Sequence, residues 1–199
     1  SYNLVNYLSR IMFLYGIERF LSLSTQQQIK LDWQGYYYDG PYGTYYWEMY
    51  FHVPFLIGSH LNANQKFEQA KWWYERIFDP TSNEEPALTK PTDRNWQFCK
   101  FRDIDLDKLR DILVNPAAIY EYKNNPFSPH AIARLRLGAY QKSVVMKYID
   151  NLLDWGDSLF AKDTRESIAE AMMLYILASD ILGERPVQLA NCLNRETVN

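Results

Sequence analysis

YYWEMYFHVPFLIGSHLNANQKFEQAKWWYERIFDP, residues 45–80, joins two helical patterns across a short polar link. From Thr44 to about Leu61 the chain is almost continuously apolar. Pro54 interrupts it, removing one backbone donor and clashing with the carbonyl four residues back. A kinked helix, or two short helices joined near Pro54, is therefore predicted. A helix apolar all round is expected to be buried all round. Asn62 is read as an N-cap, with Gln65 reaching back as in a capping box. The helix that follows places Phe67, Ala70, Tyr74, Ile77 and Phe78 on one face. Glu68, Lys71, Glu75 and Arg76 supply polar positions around it, and Asp79-Pro80 ends it.

Working outward, residues 3–23 read as a first helix, with Leu4, Leu8, Ile11 and Tyr15 at helical spacing and Tyr7 and Leu14 widening the stripe. Gln26 to Tyr46 carries Gly35, Gly40, Pro41 and Gly43 and is read as an irregular aromatic loop, with a short hairpin the alternative. Residues 80–98 hold three prolines and read as a second loop. Short helices are expected over 103–113 and from Pro116 to Tyr122. Ser128-Pro129 marks the start of a long helix to about Phe160, with Gly138 and Gly156 as bends. Its stripe is Ile132, Leu135, Ala139, Met146, Ile149 and Leu153, widened by Val145, Tyr148, Leu152 and Trp155. Asp163–Glu166 caps the last helix, which stops at Leu182-Gly183 with Pro186 beyond. These two helices should form an antiparallel hairpin. The fold class is all-α: antiparallel helices and hairpins with long irregular aromatic and Pro-rich loops. Residues 1–186 are taken as one helical segment, with any subdivision near 80–100, and 187–199 as a linker-like tail.

Composition bounds the function. The 199 residues are 47% hydrophobic and 23% charged, inside the globular range. The 16 Tyr, 10 Phe and 6 Trp are the outlier. Such side chains gather where packing meets hydrogen bonding, at subunit interfaces and at sugar-binding surfaces alike. Net charge is −3 with the signs well mixed, so no basic stripe offers itself to nucleic acid. Cys99 and Cys192 match no metal spacing and are read as two buried thiols. The apolar opening stretch is interrupted by Arg10, Glu18 and Arg19, whereas a membrane span needs about 20 predominantly apolar residues. The Met-less start and the break near Pro186 are read as those of a piece of a longer polypeptide.

Candidate chemistry is sparse. His52 and His60 lie about two helical turns apart, but no HExxH is present and Pro54 lies between them; His52 reads as a core or interface imidazole with a satisfied hydrogen bond, and His130 as structural. Asp32, Asp39 and Glu48 lie among Trp33, Tyr36, Tyr37, Tyr38, Tyr42 and Trp47, the neighbourhood a glycoside-binding or glycoside-cleaving site would need. An aromatic loop packed on a helical body has the same composition. Without GxSxG, P-loop or GxGxxG, no catalytic, cofactor-binding or metal residue is assigned, and the chain is not read as an enzyme. Methionines 172 and 173 with Leu174, Tyr175, Ile176 and Leu177 make the last helix apolar nearly all round, which reads as burial between neighbouring helices.

YYWEMYFHVPFLIGSHLNANQKFEQAKWWYERIFDPT is similar to the aromatic–FHxPFLIA–LNxNxxFExAxxWYxxIFxPT stretch of the A subunit of bacterial Tc (ABC-type insecticidal) toxin complexes. NWQFCKFR resembles that family's short aromatic–Phe–Arg link. The stretch from Asn125 to Pro186, with AYQKSVVMKYIDNLLDWGDSLF at its centre, resembles the helical hairpin that follows. The resemblance runs in order over residues 42–186. It implies a very large, secreted or cell-surface virulence protein assembled as a homopentamer. A helical shell encloses a translocation channel, and a linker joins the two. Shell opening, triggered for example by pH, drives the channel into a target membrane, and a B–C cocoon delivers a toxic enzyme through it. By similarity this stretch belongs to the shell, ahead of the linker and pore-forming region. It would contact other parts of the same subunit and neighbouring protomers, and the B–C cocoon only through the full-length subunit. It would make no membrane contact and bind no nucleic acid. Gly58, where the family often carries alanine, is expected only to weaken local helix propensity.

Overall fold

The computed structural model describes residues 2–38, 40–82, 93–102 and 137–184, with Pro116, Tyr120 and Asn124 besides. Among these residues the fold is all-α, as expected, with an isolated antiparallel bridge between Phe78 and Trp96. The short helix expected over 103–113, most of 116–122, the start at Ser128-Pro129 and the tail 187–199 lie outside the described residues.

Helix α1 (Tyr2–Leu21) is broken at Gly16, whose φ of 78° is open to glycine at little cost. Leu4, Leu8 and Ile11 are buried as expected, but Leu14 and Tyr15 are exposed, because the break ends the regular stripe. A second helix, α2 (Leu23–Asp32), occupies what the sequence reading gave to loop. Ser22 caps it, accepting from the Thr25 N–H at 3.4 Å. Beyond Trp33 the irregular aromatic loop is present, holding one short 3-10 turn at Gln34–Tyr36.

Helix α3 (Gly43–Trp47) runs through one π-helical turn, Glu48–His52, into α4 (Val53–Ala63). The break expected near Pro54 takes this form: the Val53 N–H donates to Glu48 O, and Pro54 sits at the start of α4, where its missing donor costs little. The Asn62–Gln65 capping box does not form. Helix α4 continues past Asn62, and the chain turns by a Schellman motif instead. Lys66 N–H bonds to Leu61 O (3.0 Å) and Gln65 N–H to Asn62 O (2.9 Å), with Gln65 at φ 59°. Helix α5 (Phe67–Glu75) buries Ala70 and Tyr74, and Ile77 and Phe78 follow them into the core. All-round burial of 44–61 is not observed either: Tyr45, Val53 and Leu56 are exposed, Leu56 at 68%.

Around this helical run gathers a core of rings. Tyr46, Phe51, Phe98 and Phe101 are fully buried, the last two brought in by the short helix α6 (Cys99–Arg102) and the residue before it. Phe98 and Phe101 meet edge to face at 5.1 Å, and Trp47 meets Phe98 at 5.0 Å. Each such pair contributes about 0.5–1.5 kcal/mol beyond its buried area.

Helix α7 (Leu137–Phe160) and helix α8 (Arg165–Leu182) form the antiparallel hairpin. Thr164 caps α8 reciprocally with Ser167, and Gly183, at φ 71°, ends it. The buried stripe of α7 is rotated from the expected one. Val144, Tyr148, Ile149, Asn151, Leu152 and Gly156 face inward, whereas Met146 and Leu153 are exposed. Hydrophobicity alone misplaces it, because Asn151 and Gly156 are drawn in by contacts described below. Met172, Met173 and Ile176 are likewise exposed, not buried among neighbouring helices.

Candidate functional site

The aromatic–acidic loop is the first place to look for chemistry, and its rings are already engaged. Trp33 lies against Tyr7 (4.9 Å between centroids) and Tyr36 stacks on Tyr42 (4.6 Å). Tyr37, Tyr38 and Trp47 are buried. Lys30 sits over Tyr37 and Lys100 over Tyr38, at 5.2 and 3.9 Å. Asp32, on the exposed last turn of α2, accepts a hydrogen bond from Gln28, and Glu48 is exposed in the π turn. Asp39 lies outside the described residues. A glycoside site needs open ring faces beside acids placed across a bond. Here the ring faces pack on one another while the two described acids face solvent.

The two described histidines do not converge on a common centre. His52 is half-buried against Phe51 (5.0 Å), Trp47 and Tyr140 (both 6.1 Å). His60 is exposed near the end of α4, and Asn64 Nδ2 donates to its carbonyl at 2.7 Å. His130 lies outside the described residues, as does Cys192, while the Cys99 side chain is buried. Among the described residues no group of three or more His, Cys, Asp or Glu could hold a metal ion.

Two polar clusters do converge, and both hold helices together. Gln26 is fully buried and uses its whole amide. Nε2 donates to Leu21 O (2.9 Å) and Gln97 O (2.8 Å), while Oε1 accepts from Tyr46 Oη (2.9 Å) and the Cys99 N–H (3.0 Å). One side chain thereby ties α2 to α3 and to the chain entering α6. Burial raises the Tyr46 hydroxyl well above its ordinary pKa, so it stays a donor. Nothing in the composition of loop 26–46 pointed to Gln26; its partners, two of them more than seventy residues away, reveal it.

The second cluster clasps α7 to α4 and α5. Asn151 Nδ2 donates to Asn62 Oδ1 (2.8 Å) and Phe67 O (3.2 Å), and Asn62 Nδ2 donates to Asp154 (2.7 Å). Tyr148 Oη donates to Glu75 (3.1 Å), which also pairs with Lys71. Burial, then the Glu75 charge, raise the Tyr148 pKa. Asn62 fails as a helix cap because its side chain is committed here.

Two glycines set how closely the helices approach. A Cβ on Gly58 would lie 2.9 Å from the Tyr74 ring, and one on Gly156 2.6 Å from the Tyr175 ring. Tyr74 is fully buried, and its hydroxyl donates to Ser59 at 3.2 Å. Gly58 is thus more than a weak helix former: it is the seat of a ring. Gly156, expected as a bend, is instead the contact point of the hairpin, where Tyr175 Oη donates to Asp157 at 2.6 Å.

Both polar clusters among the described residues thus join helix to helix. No family model matches the chain. A curated relative, "Toxin subunit YenA2" of Yersinia entomophaga, is 32% identical over 155 residues, 77% of this chain. The chain belongs to the Tc toxin A-subunit family. It spans about a tenth of the length of that relative. No helix among its described residues is long and apolar enough to cross a membrane.

Proposed function

We propose that this A-subunit stretch is a structural segment of the helical shell of a secreted, homopentameric toxin-translocation machine, and that it carries no catalysis of its own. One observation carries the reading: its polar side chains join helix to helix, while large apolar side chains point outward. Phe13 is 89% exposed and Met173 69%. Contiguous outward apolar surface marks protein contact. The partners are other parts of the same subunit and neighbouring protomers, with the B–C cocoon reached only through the full-length subunit. Residues 1–186 act as the shell segment and 187–199 lead toward the linker.

The test is made in the full-length subunit. Met173→Asp and Ile176→Asp place charges on exposed positions of α8, so the stretch itself keeps its packing. The assembled pentamer, counted by native mass spectrometry, is expected to fall at least tenfold. Normal assembly together with normal toxin delivery would refute the scaffold role.

A further inference from the structure

Helix α1 presents an apolar groove of about 710 Å³ that the rest of the described structure does not fill. Leu8, Phe20 and Met49 form its deeper part, and the exposed Val5, Met12 and Phe13 its rim. Among the described residues, Ser9 is its single polar lining residue. Four consecutive residues, Met12, Phe13, Leu14 and Tyr15, are exposed just before the Gly16 break. A helix meant to face water alternates polar and apolar residues at helical spacing; this one does not.

Resting on the scaffold reading, we propose that this groove seats one particular occupant: a helix of the same A-subunit polypeptide, outside these 199 residues, that presents a row of aliphatic side chains. Three observations favour it over other occupants. On the scaffold reading the full subunit is of the relative's size, of which this stretch matches about a tenth, so ample chain is available in the same molecule. The lining offers almost no hydrogen-bonding or charged group to select an independent partner, and a tethered helix needs none, because its effective concentration is already high. A lipid surface is a poor fit, since Arg10, Glu18 and Arg19 interrupt the same helix. The methionines at the rim and floor, Met12 and Met49, are flexible enough to mould to an aliphatic ridge.

Full-length subunit carrying the photoreactive amino acid p-benzoylphenylalanine in place of Phe13, an aromatic exchange at an exposed site, tests this directly. A second protein with the same replacement at Val5 guards against local misfolding. Equal amounts of isotopically heavy and light subunit are assembled together, irradiated and digested, and the joined peptides are identified by mass spectrometry. The expected product joins position 13 or 5 to a peptide outside these 199 residues, with both halves carrying the same isotope label. Mixed heavy–light products would place the occupant on a neighbouring protomer, and products joining this stretch to its own copy would mean self-docking. Capture of lipid or detergent, or no product, would mean that no protein helix is seated there. Each of these outcomes overturns the proposal. The scaffold reading is judged separately, by pentamer assembly of the Met173→Asp subunit.

Discussion

The ring-packed region around Tyr46 and the α7–α8 hairpin have similar apolar content and opposite construction. In the first, rings from α3, the π turn and α6 close on one another, and Gln26 satisfies four backbone and side-chain groups at their edge. In the second, the helices meet along a seam that includes Gly156 and Tyr175, and Met146, Met172, Met173 and Ile176 are left outside. The first region is complete within this stretch. On the scaffold reading, the second is half of an interface. Apolar content thus says how much surface must be covered and leaves open whether this stretch or its neighbours cover it.

Alkaline titration should break the first region with the largest effect. Tyrosine ionises near pH 10.0 when exposed, and burial raises Tyr46 and Tyr50 above that value. The folded state therefore holds these protons after the unfolded chain has lost them. Stability is full below pH 10 and falls as pH rises above it, by about 1.4 kcal/mol per tyrosine per pH unit. Absorbance at 295 nm should show these hydroxyls ionising together with unfolding, not before it.

Gln26→Leu comes next. It leaves the Tyr46 hydroxyl, the Cys99 N–H and two carbonyls without their partner, which should cost on the order of 3–5 kcal/mol. Hydrogen exchange of the Cys99 amide in the full-length subunit should accelerate by two orders of magnitude or more, while the α7–α8 seam stays protected.

The two glycines then sharpen the contrast. At Gly58 an alanine meets the fully buried Tyr74, which has nowhere to go, and a net loss of about 1–2 kcal/mol is expected. At Gly156 the half-buried Tyr175 can swing outward, and the gain in helix propensity, up to about 1 kcal/mol, should offset the crowding. Exchange rates across α4 and α7 in the two alanine variants read the difference, and equal destabilisation would erase the distinction drawn here.

The smallest effect separates two tyrosines in the same core. Tyr46→Phe removes a donor to Gln26 and should cost about 1 kcal/mol. Tyr50→Phe removes a hydroxyl that is buried and has no hydrogen-bond partner among the described residues, and should be neutral or slightly stabilising. Local unfolding free energies from the same exchange experiment decide it.

The legible parts of the fold were those governed by nearby residues. Thr164 and Ser167 cap α8 within one turn, Gly183 ends it, and Pro54 disturbs its own helix. The unread parts depended on distant ones. Helix α2 was hidden by turn residues that begin only after it, although Ser22 already stood at its cap. Asn62 has the chemistry of a cap and serves as a tertiary clasp, because Asn151 and Asp154 offer it better-placed partners. The aromatic–acidic loop looked like either a sugar site or a packed core, and only ring burial separates these. Local order along a chain cannot reveal which face of a Tyr is covered.

Residue order by itself determined the helical class, the capped ends of α8 and the likeness to toxin A subunits, since each depends on short-range periodicity or on matched runs of residues. Tertiary structure alone decided that Gln26 is a four-way tie, that Gly58 and Gly156 are seats for rings, and which apolar faces remain uncovered. Those outcomes arise when side chains far apart in sequence compete for the same buried space and the same hydrogen-bonding groups.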